Sequence, residues 1–467
     1  MTGTKVPAST MYFEQFYLGC LAHASYMIGS EGEALVVDPQ RDVEIYLQSA
    51  AEHGLKIRHI FETHLHADFV SGHKELAERT GARIYIGARA QAGFPHVALQ
   101  DGFELKVGRL KIEALETPGH TPESTCIVIT DEEKSPHPCA VLTGDTLFLG
   151  DVGRPDLSAS HTPVELAGLL FDSLHQKLMT LADDVLVYPA HGAGSLCGKN
   201  MRAERSSTIG TERLTNYALQ IPSREEFIRE LTTNLPARPD YFSQDAEINR
   251  SGAAALRELA HPKELSAEEV AGLVRNGVVV LDVRPGELFA EGHVPGSVNV
   301  ALSGQFATWA GTLLGLKSAP VLVAETKEQI EEARVRLARV GIDVERGYLA
   351  DGIESWKRAG LPLGRIQQIK VEELRARLDQ GTVTVLDVRR EGEWNAGHLK
   401  GASWHPLDRF QSLPEIDTSQ PLAVHCKGGY RSMAACSLLL RAGYTNVLNV
   451  AGGYDAWEAL HFPVARE

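Results

Sequence analysis

The chain repeats itself. Residues 281–302 read LDVRPGELFAEGHVPGSVNVAL and residues 386–407 read LDVRREGEWNAGHLKGASWHPL. Further on, DGIESWKRAGLPL (351–363) answers GGYDAWEALHFPV (452–464). Two copies offset by about a hundred residues require two similar domains, because solenoid units run only ~20–50 residues. Each copy opens on a helical pattern, SAEEVAGLVRNG or KVEELRARLDQG, that stops at a Gly. A β-branched run follows, VVVLDVR or VTVLDVR, and predicts a buried parallel strand of an α/β sheet.

The 467 residues leave room for about one domain more than the repeat uses. The first ~250 carry strand-like runs (ALVVDP, RHIFETH, ARIYIG, LKIEALETP, TCIVIT, AVLTGD, DVLVYPAH) with helical stretches DVEIYLQSAAEHG and HKELAERTG among them. Several of these runs end on His or Asp, and ligands of α/β sheets lie beyond the carboxyl ends of strands. Residues ~200–260 read as polar and helical, and NLPARPDYFSQDAEINRSG, with Pro, Gly and little periodicity, reads as the linker. A net charge of −15 argues against nucleic-acid and anionic-membrane partners, which need a basic surface. No apolar run is long enough to predict a transmembrane helix. The opening MTGTKVPASTMYFEQF lacks the basic and apolar regions of a signal peptide. Six Cys in so long a chain form no disulfide framework and are expected to be reduced thiols of a cytoplasmic protein.

Four segments of the first part offer metal ligands: Thr63-His64-Leu65-His66-Ala67-Asp68, Pro118-Gly119-His120-Thr121, Thr143-Gly144-Asp145 and Pro189-Ala190-His191-Gly192. Imidazole and carboxylate without Cys suit Zn, Fe or Mn rather than a thiolate zinc site. Together these segments resemble the metallo-β-lactamase superfamily over about residues 10–250, which implies an αββα sandwich with the metal among its loops. Hydrolases of that superfamily read H-x-H-x-D-H, and the last His helps to hold a second ion. Here that position is Phe69, whose ring cannot ligate. One ion held by two His and one carboxylate is the facial triad of non-haem Fe(II) oxygenases. The sequence resembles the persulfide dioxygenase branch. The resemblance implies one Fe(II) per chain on His64, His120 and Asp145, with His66, Asp68 and His191 lining the site. The stretch Gly150-Asp151-Val152-Gly153-Arg154-Pro155-Asp156 also matches that branch and reads as a structural turn with an Arg–Asp pair. Cys197 and Cys20 read as small buried residues or as thiols near the entrance, and Cys126 as core.

In the last copy a strand, Leu422-Ala423-Val424-His425, feeds the loop Cys426-Lys427-Gly428-Gly429-Tyr430-Arg431 and then a helix. Amides aimed inward, the positive end of the helix, Lys427 and Arg431 all favour a thiolate at Cys426. The same cradle suits an anionic persulfide. The C-x-x-x-x-R loop, with the DVR, GH-x-x-GA and GGY-x-x-W motifs, resembles the rhodanese family over residues ~366–467. The loop is one residue shorter than the Cys-x5-Arg loop of phosphatases, which favours sulfur over phosphate. The first copy reads Val323-Ala324-Glu325-Thr326-Lys327 at the equivalent place, with Ala324 or Glu325 where Cys426 stands depending on a one-residue gap, and has neither the Gly pair nor the Arg. It is expected to be a rhodanese-like scaffold without chemistry.

The expected architecture is α/β throughout: an αββα metallo-β-lactamase domain over 1–255, a rhodanese-like domain lacking the Cys over 256–365 and an active one over 366–467. Resemblance to persulfide dioxygenase–sulfurtransferase fusions implies that a low-molecular-weight persulfide is oxidised by O2 to sulfite. It also implies that Cys426 passes sulfane sulfur to or from sulfite, as thiosulfate, in sulfide detoxification. Relatives imply a homo-oligomer, dimer or tetramer. The competing expectations are a dinuclear, glyoxalase II-like thioester hydrolase with a sulfurtransferase appended, and a non-catalytic sulfur carrier.

Overall fold

The computed structural model describes residues 11–233, 235, 237–416 and 419–466. The first ten residues, on which part of the signal-peptide reading rests, lie outside them. The chain divides into two compact units, residues 1–259 with 338–341, and 260–337 with 342–467.

The first unit pairs two six-stranded sheets. One contains β1 (Tyr12–Leu18), β2 (His23–Ser30), β3 (Glu33–Val37), β4 (Lys56–Glu62), β5 (Arg83–Gly87) and β6 (Val97–Leu99) in sequence order. The other contains β7 (Phe103–Val107), β8 (Leu110–Glu116), β9 (Thr125–Asp131), β10 (Ala140–Gly144), β11 (Leu186–Pro189) and β12 (Ser207–Thr208), again in order. Tyr26, Leu35, Val37 and Phe61 from the first sheet meet Leu110, Ile112, Ile127, Ile129 and Leu142 from the second in one buried core. Each such side chain contributes ~1.5–3 kcal/mol of transfer free energy. Helices Glu44–Glu52 and His73–Thr80 cover the outer face of the first sheet. Helices Pro163–Gln176 and Arg224–Thr232 cover the second. This is the αββα sandwich. The helix Pro163–Gln176 starts where the sequence dictates: Thr162 and Glu165 form a capping box, and Pro163 sits in the first turn.

One expectation is corrected. The segment read as a linker carries the helix Phe242–Ser251, which buries Phe242, Asp245 and Asn249. Its pattern is short and polar because its buried face bonds to loops rather than packing on a sheet.

The second unit holds the repeat. The first copy orders its parallel strands β13 (Glu264–Leu265), β14 (Val280–Asp282), β15 (Val298–Asn299), β16 (Val321–Val323) and β17 (Gly347–Leu349) as 13-17-16-14-15. The second copy contains β18 (Gln367–Ile369), β19 (Thr384–Asp387), β20 (His398–Leu399), β21 (Ser403–Trp404), β22 (Leu422–His425), β23 (Val447–Val450) and β24 (Val464–Ala465). Its main sheet runs 18-23-22-19-21, the same topology, and β20 pairs with β24 alone. Ser266 and Glu269 cap the first helix of copy one with a second capping box. Both copies keep the same buried Asp–Arg pair, Asp282–Arg284 and Asp387–Arg389, at 2.6 Å. Both also stack an aromatic ring on the following His, Phe289 on His293 and Trp394 on His398. These shared features are what the fold itself requires.

Candidate metal centre and sulfur-transfer loop

Five strands of the first unit deliver their carboxyl ends to one place. The chain leaves β3 at Asp38, β4 at Thr63 and His64, β8 at Thr117 to His120, β10 at Asp145 and β11 at Ala190 and His191. His64, His120 and Asp145 are fully buried, and their ligand atoms lie within 4.8 Å of one another. Asp145 Oδ2 is 3.8 Å from His64 Nε2 and 3.4 Å from His120 Nε2.

Both imidazoles are oriented from behind. His64 Nδ1 lies 2.9 Å from Thr63 Oγ1, which donates onward to Asp38 Oδ2 at 2.9 Å. His120 Nδ1 lies 2.9 Å from the Arg154 carbonyl. Each Nδ1 proton therefore has an acceptor, and each Nε2 lone pair points toward Asp145, as a metal requires. Burial pushes both histidines below their usual range, so both rings stand neutral. Burial alone would raise the Asp145 carboxyl, but the neighbouring His191 outweighs it, and the carboxyl stands well below the usual carboxylate range. Two neutral imidazoles and a carboxylate on one point fit a divalent ion.

The remaining sequence-expected residues gather beside this point. His191 Nδ1 is 2.8 Å from Asp145 Oδ1, and its Nε2 is 2.9 Å from Asp68 Oδ2. His66, Asp68 and His191 also come within ligand distance of one another. His66 additionally faces the other way: its Nε2 lies 3.1 Å from Asp38 Oδ1 and 3.8 Å from Glu62. Phe69 is wholly buried, with its ring 4.4 Å from His66 and 4.1 Å from His23.

Three contributors have tasks at the site that the sequence reading did not assign. The turn 150–156 keeps its Arg154–Asp156 pair at 2.6 Å, and it also supplies the carbonyl that orients His120. Its Gly153 is packed so closely that a Cβ there would strike the Asp145 carbonyl and the His120 ring. Cys197, buried, reaches ligand distance of Asp145 and His191. Asn249, from the supposed linker, donates to the carbonyls of His66 and Phe69, each at 2.8 Å, and accepts from the Ser71 amide at 2.8 Å. The Gly pattern and the Cys were visible; the packing that gives them these tasks was not. Cys126 is core, as expected, and contacts Thr117 Oγ1 at 3.2 Å.

In the second unit, Cys426 follows β22 directly, and the Gly429 amide donates to its Sγ at 3.1 Å. Lys427, Gly428, Gly429 and Tyr430 form the loop, and the helix Tyr430–Arg441 begins at its end. Arg431 is not the free cation that its position suggested: it donates to both oxygens of Glu393, at 2.6 and 2.7 Å. The Tyr430 hydroxyl donates to the Ala301 carbonyl of the first copy at 2.8 Å. Strand register settles which residue replaces the nucleophile in that copy. Asp387 pairs with His425, and Asp282 pairs with Val323, so Ala324 stands where Cys426 stands. A pair of left-handed glycines agrees: Gly453 (φ 54°) presses on the Cys426 carbonyl and Gly352 (φ 55°) on that of Ala324.

The profile of the metallo-beta-lactamase superfamily matches residues 18–191. The persulfide dioxygenase ETHE1 of Bos taurus is 30% identical over 220 residues, which are 45% of this chain and 77% of that protein. The chain belongs to the metallo-beta-lactamase superfamily. It joins that domain to two rhodanese-like domains, matched over residues 266–359 and 370–460. A hydroxyacylglutathione hydrolase of Polaromonas sp. is also 30% identical, over 187 residues that are 39% of this chain and 66% of that protein. Among solved structures, a metallo-beta-lactamase from Staphylococcus aureus is 32% identical with a TM-score of 0.66. It covers 73% of this chain and 99% of its own. Among the described residues, no helix is long and apolar enough to cross a membrane.

Proposed function

We propose that the first unit oxidises a low-molecular-weight persulfide with dioxygen at a single ferrous ion held by His64, His120 and Asp145, and that Cys426 carries sulfane sulfur to or from the sulfite produced. The overall task is sulfide detoxification. The balance is R–S–SH + O2 + H2O → R–SH + SO3²⁻ + 2 H⁺. Bound iron supplies the one-electron chemistry that lets dioxygen react with sulfur, which zinc lacks. The chain supplies the rest. Thr63 and the Arg154 carbonyl fix the two rings, and His191 fixes Asp145. Burial of the whole set keeps bulk water from the reacting sulfur. The observation that carries the reading is the convergence of His64, His120 and Asp145, with both Nε2 atoms turned to the carboxylate. The persulfide dioxygenase relatives support it.

Cys426, activated by the Gly429 amide and the helix start, attacks the sulfane sulfur of thiosulfate. The S–S bond breaks and its electron pair leaves with sulfite: Cys–S⁻ + S2O3²⁻ → Cys–S–S⁻ + SO3²⁻. Run backwards, the step converts enzyme persulfide and sulfite into thiosulfate.

A second reading has its own support. His66, Asp68 and His191 keep three donors together, and a hydroxyacylglutathione hydrolase is among the relatives. It would make the first unit a dinuclear thioester hydrolase. Metal content and oxygen uptake on one sample decide between them. About one iron per chain with oxygen consumed on adding glutathione persulfide supports the first. Two zinc ions with cleavage of S-lactoylglutathione would replace it by the second.

A further inference from the structure

The two copies of the repeat separate what the fold needs from what the chemistry needs. The Asp–Arg pair and the aromatic–His stack occur in both copies. The chain positions around Cys426 do not. Where copy two has Arg390, Glu393 and Cys426, copy one has Pro285, Leu288 and Ala324. Arg390 and Glu393 thus come and go with the nucleophile, and the scaffold stands without them.

Their placement explains the association. β19 and β22 are adjacent and parallel, with Asp387 opposite His425. Arg390 therefore leaves one strand end beside the strand end from which Cys426 leaves. Glu393 Oε2 ties the two sides together: it accepts from the Arg390 amide at 3.0 Å and from Arg431 Nη1 at 2.6 Å. The Glu393 carboxylate is thereby matched by Arg431. The Arg390 guanidinium is not in that bidentate pair: Asp408 and Glu393 act on its charge from a distance, and burial beside Arg431 disfavours it. It is half-buried, and it stands 6.0 Å from the ring of Trp309, a buried side chain of the first copy. An aromatic face at that distance attracts a guanidinium without using its N–H donors. The five donors remain available, in the planar fork that suits an oxyanion.

We propose that Arg390 binds the oxyanion end of the sulfur donor or acceptor at Cys426, with Trp309 of the inactive copy holding its guanidinium in place. The chemical class is a sulfur oxyanion, thiosulfate as donor and sulfite as acceptor. Glu393 is a positioning residue that holds Arg431 and leaves the N–H donors of Arg390 to a ligand. The first copy would then be a wall of the second copy's site as well as a spacer. The proposal rests on the sulfur-transfer reading of Cys426.

The test uses the full-length protein with Arg390→Gln and Arg390→Lys. The first arm measures thiosulfate:cyanide sulfurtransfer. Loss of one charge-assisted anion contact raises KM for thiosulfate about tenfold in Arg390→Gln, and Lys recovers part of it. The second arm needs no turnover. Alkylation at Cys426 is followed by mass spectrometry with iodoacetate, an anion, and with iodoacetamide, its neutral counterpart. The iodoacetate rate falls relative to iodoacetamide in Arg390→Gln, and an unchanged iodoacetamide rate reports an intact loop. An unchanged KM together with an unchanged rate ratio overturns the proposal. A wild-type protein without sulfurtransfer whose rate ratio nevertheless depends on Arg390 retains the anion site and overturns the sulfur-transfer reading instead.

Discussion

Both ends of the Asn249 carboxamide are committed to the loop that follows His64, through the carbonyls of His66 and Phe69 and the amide of Ser71. Asn249→Leu leaves three buried backbone groups without partners. At ~1–3 kcal/mol for an unsatisfied buried group, partly relieved by relaxation, the first unit loses about 3 kcal/mol. Thermal unfolding should report the loss, and metal should leave the variant faster on dialysis against a chelator. The cysteines give a second residue-scale prediction. Burial pushes the Cys126 thiol up to about 11 and raises Cys436 far above the usual thiol range. Native protein treated with iodoacetamide at pH 8 should leave both unlabelled, as peptide mass spectrometry would show; in denaturant both should label. The candidate ligands were legible because each is a His or Asp just past a strand-like run. Asn249 was not, because a lone Asn in a polar stretch looks the same whether it faces water or a buried loop.

At the scale of elements, the strands and helices around the site followed from pattern alone. ALVVDP, RHIFETH, LKIEALETP, AVLTGD and DVLVYPAH became β3, β4, β8, β10 and β11, each ending where its reactive residue begins. Register was harder to read. A one-residue gap left Ala324 and Glu325 equally eligible as the counterpart of Cys426 until strand pairing chose Ala324. The turn 150–156 shows a different limit, because its Arg–Asp pair was readable and its service to His120 was not. Gly153→Ala tests that service. The added methyl group displaces the turn from the Asp145 carbonyl and the His120 ring. Metal affinity should fall by about 10–100-fold, the usual cost of disturbing a ligand's supporting partner. Chelator competition measures it, with sulfurtransfer by Cys426 unchanged as the control.

For the whole molecule, the proposed function places two chemistries on one chain at sites that share no residues. Cys426→Ser should abolish thiosulfate formation and leave sulfite production from persulfide intact. Asp145→Ala should lose metal and oxygen uptake while sulfurtransfer survives. Oxygen electrode traces and thiosulfate assays on both variants check this, and parallel loss of both activities in either variant would mean that the sites are not independent.

The helix Phe242–Ser251 has a consequence for anyone who would trim this protein. The expected ligands His64, His120 and Asp145 and the lining residues His66, Asp68 and His191 all lie between His64 and His191, and a fragment stopping soon after His191 would retain these six. It would still lack the amide side chain that braces the His66–Ser71 segment from outside the matched region. The shortest piece that contains the centre is therefore shorter than the shortest piece that can hold it open for an ion.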